Sequence, residues 1–74
     1  MKPWKRTRKG AQPGSYVILD RASGDVCGDL CRLDRRTWHW MPAPGIPGAW
    51  WGFADSLSEA ADKMHALWLG RNDR

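Results

Sequence analysis

WWGFADSLSEAADKMHALWLG, residues 50–70, decides the fold. Ser56 and Glu59 form a Ser-x-x-Glu capping box, in which the serine oxygen accepts an orphan first-turn N–H and the glutamate reaches back toward the cap. Leu57, Ala60, Ala61, Met64, Leu67 and Trp68 then recur at helical spacing and make one apolar stripe. Asp62 and Lys63 fall on the other side. Gly70 is placed as a left-handed residue just past the end, and Arg71 adds positive charge at the carboxyl end of the dipole. A helix of about 13 residues is marginal alone and needs a partner surface for its stripe.

The charge of the chain is unevenly spread. The 74 residues carry 12 Lys and Arg against 8 Asp and Glu, a formal +4. Lys2, Lys5, Arg6, Arg8 and Lys9 all lie in the first ten residues, which hold no acid. The other seven basic residues face eight acidic ones, a formal −1. Residues 1–15, with two prolines and two glycines, read as a flexible basic arm. Lys5–Lys9, KRTRK, is the type of tract that contacts phosphates or serves as an import signal; a solvated tail that aids solubility is the plainer alternative. The apolar run that follows, Tyr16 to Leu19, is too short for a signal peptide core or a membrane span. A cytoplasmic chain with no membrane partner is expected. Cys27 and Cys31, on one strand, would share a face about 13 Å apart, too far for a disulfide, so two reduced thiols are expected.

Between arm and helix the pattern is extended. Tyr16–Arg21 is a β-rich run, Ala22–Asp25 a hairpin loop, and Val26–Leu33 a second strand in which Gly28 marks a bulge or a close approach. Asp34-Arg35-Arg36 turns the chain. Thr37–Met41 is a third strand with Trp38 and Trp40 on one face and His39 on the other. A Pro/Gly-rich loop over 42–48 precedes a short extended segment, Ala49–Phe53. The expected fold is therefore α+β: a three- to four-stranded antiparallel meander with one C-terminal helix on one face, β-β-β-(β)-α. Residues 16–70 make one small domain and 71–74 a frayed end.

Nothing in the chain assembles a catalytic constellation. There is no nucleophile elbow, Gly-rich phosphate loop or acid pair in apolar surroundings. Asp20, Asp25, Asp29 and Asp34 sit in or beside turns, as solvated turn formers do. Cys27, Cys31, His39 and His65 are of zinc-ligand type, but their spacing matches no common zinc pattern. No enzyme, metal or cofactor is expected. The six tryptophans are the anomaly. One helix covers one face of a small sheet, so either Trp38, Trp40 and Trp68 build an oversized core or some aromatic surface is left for a partner. Trp50 and Trp51 are adjacent and point opposite ways if extended. At most one of them can be core.

Thr37–Trp68, TWHWMPAPGIPGAWWGFADSLSEAADKMHALW, resembles a pattern in small uncharacterised proteobacterial and phage proteins: Trp-x-Trp, a Gly/Pro loop, Gly-x-Ala-x-Ser-Leu-x-Glu-Ala and a closing Trp. Trp38, Trp40, Gly52, Ala54, Ser56, Leu57, Glu59, Ala60 and Trp68 carry that resemblance, which implies a phage or mobile-element origin and brings no function with it. Residues 50–64 are also similar to the last strand and following helix of ethylene-response-factor-type DNA-binding domains and phage-integrase arm-binding domains, where three strands pack on one helix. That likeness implies Arg21, Arg32, Arg35, Trp38 and Trp40 as groove readers.

Two functions are compatible with these residues. The first is a small binding module that holds nucleic acid nonspecifically, through phosphates, with Lys2, Lys5, Arg6, Arg8, Lys9, Arg35 and Arg36 as contacts. The second is a protein-interaction module, an inhibitor or adaptor of anti-defence type, that binds through Trp50, Trp51 and Trp40.

Overall fold

The computed structural model describes residues 1–10, 13–46 and 51–72. Five strands, β1 (Trp4–Arg8), β2 (Ser15–Asp20), β3 (Val26–Arg32), β4 (Trp38–Pro42) and β5 (Gly52–Ala54), form one antiparallel sheet in the order β1-β2-β3-β4-β5. Helix α1 (Leu57–Leu69) packs across one face, and a single 3-10 turn, Gly70–Asn72, ends the described chain. The α+β meander with a C-terminal helix is the architecture that the hydrophobic pattern implies, with one more strand.

That extra strand is β1, where a flexible arm was expected. Charge density over Lys5–Lys9 outweighed the one residue that anchors the segment. Trp4 is only 6% exposed, and its indole N–H donates to Asp62 Oδ1 on α1 at 2.7 Å. Arg21 secures the same segment from β2's far end: its N–H donates to the Pro3 carbonyl, and its guanidinium to the carbonyls of Lys2 and Trp4. β1 pairs with β2 over Trp4–Arg8 and forms one edge of the sheet. Cations on an edge strand also discourage further strand addition.

β2 and β3 are joined by a tight turn in which Asp20 is the organiser. Its Oδ2 accepts from both the backbone N–H and the hydroxyl of Ser23, and Gly24 takes φ +80°. A bulge then interrupts the ladder between Ile18 and Leu19 on one side and Val26 and Gly28 on the other. Gly28 is required there by close packing. A Cβ would collide with the Met41 carbonyl and lie 2.6 Å from Met64 Sδ. The bulge also corrects the expectation that the two cysteines share a face. Cys27 is fully buried in the core, whereas Cys31 pairs with Ser15 and His39 on the opposite side. Both thiols are free, and burial pushes that of Cys27 up to about 11.

The core lies between α1 and one face of the sheet. Trp4, Ile18, Cys27, Leu30 and Ala54 meet Ala60, Ala61, Met64 and Trp68 of the helix stripe, with Trp38, Trp40, Tyr16, Ile46 and Leu57 packed around them. Complete burial of Ile18 and Met64 contributes about 1.5–3 kcal/mol each in transfer terms. Ser56 caps α1 as expected, its Oγ accepting from the Glu59 N–H at 3.1 Å. Glu59 reaches one residue further back than the usual box, accepting from the N–H of Asp55 at 2.9 Å. Gly70 is right-handed (φ −79°, ψ −3°), not left-handed as its position suggested. Arg71 closes the helix instead: its guanidinium donates to the Trp68 carbonyl at 2.7 Å and lies 3.5 Å over the Trp68 ring. Of the frayed end expected over 71–74, residues 73 and 74 lie outside the described residues. No described helix is long and apolar enough to cross a membrane.

Candidate functional site

Strand alternation divides the sheet into a covered face and an open one. Trp38 and Trp40 point toward α1 together with Ala54 and Leu30, because these residues are cross-strand partners on one side. His39, Met41 and Phe53 therefore point away from the helix, into the open. Trp51, two residues before Phe53, shares their side. Trp51 is 58% exposed and Phe53 50% exposed. Their rings meet edge-on at 5.5 Å, and the His39 ring stands 5.3 Å from Trp51 and 5.2 Å from Phe53. These three side chains make an aromatic cluster at the β4–β5 side of the open face.

The opposite side of this face is cationic. Lys5 and Thr7 of β1 pair with Leu19 and Val17, whose side chains also face away from α1. Lys9, one residue past β1, is held by its N–H to the Ser15 carbonyl at 3.0 Å. Its ammonium meets Asp29 Oδ2 at 2.6 Å, and that hydrogen bond raises the pKa of Lys9. One cross-strand row thus runs from Lys9, just past β1, through Ser15, Cys31 and His39 to Phe53 of β5, about 19 Å at the usual strand spacing. Short side chains at its centre leave a depression of about 190 Å³ between Lys9 and Asp29 on one side and His39 and Met41 on the other.

The expected nucleic-acid contacts separate into three groups. Lys5 and Arg8 are exposed along β1, and Lys9, just past it, is exposed and paired with Asp29. Arg35 and Arg36 are exposed in the β3–β4 turn, at the same end of the sheet as Arg8 and Lys9, since Arg32 bonds to Gly14 beside Ser15. Asp34 accepts the Arg36 backbone N–H there, which lowers its carboxyl pKa. Lys2 and Arg6 are engaged otherwise: Lys2 pairs with Asp62 at 3.2 Å, and Arg6 lies 5.3 Å over the Tyr16 ring. Asp62, bonded by Trp4 and then Lys2, is held below its ordinary pKa.

Of the tryptophans expected at a partner surface, Trp51 is exposed, Trp40 is packed against the core, and Trp50 lies outside the described residues. Gly52 supports Trp40 closely, since a Cβ there would come within 2.7 Å of the ring. The groove readers implied by the DNA-binding resemblance are not gathered on the open face. Trp38 and Trp40 face the helix, and the Arg21 guanidinium is bound to backbone carbonyls. Phe53, His39 and Met41 are the residues that sequence reading missed. Their signal was present in the alternation, since Phe53 follows Trp51 by two and His39 opposes Trp38 and Trp40.

Two further residues depart from their expected roles. Asp20, read as a solvated turn aspartate, and His65, weighed only as a residue of zinc-ligand type, are both buried and bond to each other. They serve the core and lie on the covered side. Among the described residues, no group of three or more His, Cys, Asp or Glu side chains is arranged to hold a metal ion. No family model matches the chain, and neither a curated protein nor a solved structure matches it.

Proposed function

We propose that the chain is a small, non-enzymatic nucleic-acid-binding module whose cationic edge strand contacts phosphates without sequence preference. The observation that carries this reading is the placement of Lys5 and Arg8 on β1, one toward each face of an edge strand tied to the body by Trp4 and Arg21. A tethered row of cations keeps a set spacing and loses less entropy on binding than a loose tail. Arg35 and Arg36 extend the same positive end of the sheet. The formal −1 of the remaining chain does not oppose this, because phosphate contacts draw on local rather than net charge.

The test is a binding titration of a labelled oligonucleotide at low salt, with the intact chain against a Lys5→Glu/Arg8→Glu double variant. Both positions are exposed, so the fold tolerates the change, and affinity is expected to fall by at least about tenfold. Equal binding by the two proteins sinks the reading. The exposed Trp51–Phe53 pair favours a second reading, a protein-interaction module, since half-exposed aromatics are frequent interface anchors. Its mark is a complex that survives nuclease treatment and moderate salt.

A further inference from the structure

We infer that the open face of the sheet binds unpaired nucleotides, with Trp51, His39 and Phe53 as a base-stacking platform and Lys5 as the free phosphate contact beside the Lys9–Asp29 ion pair. This rests on the nucleic-acid reading above and names its partner class: single-stranded RNA or DNA rather than duplex.

Three observations support it. The first is the row itself. Lys9, Ser15, Cys31, His39 and Phe53 lie side by side across the sheet, with the Lys9–Asp29 ion pair at one end and the aromatic ring at the other. A strand of unpaired nucleotides has the same polarity of chemistry along its width, phosphate on one side and flat base on the other. Bases in a duplex are already stacked on their neighbours and offer an aromatic side chain only their edges, in the grooves. Exposed rings on a sheet surface suit bases that have come out of the stack.

The second is the depression in the middle of the row. Ser15 and Cys31 are short, so the surface dips between Lys9 and Asp29 on one side and His39 and Met41 on the other, enclosing about 190 Å³. Its walls combine a ring face, a thioether, a hydroxyl and an ion pair. That mixture suits a planar, polar-edged group such as a base better than the aliphatic anchor of a protein partner.

The third is charge. Asp29 is the only carboxylate among the described strand residues of this face, and Lys9 neutralises it at 2.6 Å. An anionic backbone meets no unpaired acid as it crosses the strands. A second copy of the chain would bring the same cations to the same face, and like charges would oppose that pairing.

The experiment is fluorescence anisotropy with end-labelled single strands of about 12 nucleotides, a length within the usual site size, and with a duplex of equal length. Oligo-U and oligo-dT are both used, so that an RNA or DNA preference shows. Trp51→Ala, Phe53→Ala and Trp51→Phe variants are compared with the intact chain, their folding checked by thermal melting. Trp51 and Phe53 lie outside the buried core, so all three are expected to fold. The single strand is expected to bind roughly tenfold or more tighter than duplex, and Trp51→Ala to weaken it about 5- to 150-fold. Trp51→Phe should recover most of that loss.

Equal affinity for both forms, with Trp51→Ala and Phe53→Ala silent, overturns the inference and leaves the cationic edge as the sole contact. A Trp51→Ala variant that turns a dimer into a monomer in sedimentation, with nucleic-acid affinity intact, overturns it as well. Failure of the intact chain to bind any probe at low salt removes the nucleic-acid reading itself.

Discussion

His65 Nε2 and Asp20 Oδ1 lie 2.8 Å apart in the buried interior, although 45 residues separate them. The bond ties the middle of α1 to the last residue of β2, and the same carboxylate organises the β2–β3 turn through Ser23. The His65 ring in turn stacks on Trp68 at 5.8 Å between centroids. One aspartate thus connects the turn, the sheet and the helix.

Acid lability follows from that bond. Hydrogen bonds from His65 first, and from Ser23, hold the Asp20 carboxyl below its ordinary 3.8. When pH falls, the unfolded chain takes up the proton before the folded one does. The stabilisation is therefore complete above the unfolded value and is lost as pH drops through the lower folded value. Asp34 and Asp62 shift in the same direction, so the melting temperature should decline steeply below about pH 4. An Asp20→Asn variant should be less stable at neutral pH and show a shallower acid decline. Parallel pH profiles for variant and parent would contradict this account of Asp20.

Trp4→Ala should detach β1. The substitution removes a buried indole and leaves Asp62 without its 2.7 Å donor, a loss of about 3–5 kcal/mol for a large aromatic. Hydrogen exchange resolves the effect by strand. Amides of Lys5–Arg8 bonded to β2 should lose protection, while those between β3 and β4 keep more of theirs. If the β1 amides exchange rapidly in the parent protein as well, the strand is not held as described.

Gly28→Ala should cost about 1–3 kcal/mol through overpacking, because the new methyl meets the Met41 carbonyl and Met64 Sδ. Met64→Ala alone should cost about 2–5 kcal/mol as a cavity. Part of the clash is with the Met64 side chain, so the double variant should lose less than the sum of the two. Strict additivity in denaturant titrations would mean that the two positions do not touch.

The parts legible in the sequence are those governed by neighbours in the chain. The Ser56 cap and the Leu57–Trp68 stripe announce α1 within one residue of its true ends. Alternation around Trp38-His39-Trp40 assigns their faces correctly. β1 was obscured because its character depends on Trp4 finding Asp62, 58 residues away, whereas its composition is that of a solvated tail. The Cys27–Gly28 bulge is equally hidden. A single inserted residue reverses the face of everything before it, and only the approach of Met41 and Met64 explains the glycine. The His65–Asp20 bond likewise needs the sheet and helix already assembled. At the open face, Trp51 was legible as a surface residue, but its grouping with His39 and Phe53 required the β4–β5 register.

The salt dependence of nucleic-acid binding tests the central claim most directly. For a single strand, each neutralised phosphate contributes about −0.7 to the slope of log K against log salt concentration. Contacts by Lys5 and Arg8, with one or two more from Arg35 and Arg36, predict a slope of about −2.1 to −2.8. Lys5→Ala should make it shallower by about 0.7. Undetectable binding at low salt, or an affinity that does not change with salt, would contradict a phosphate-contacting edge strand.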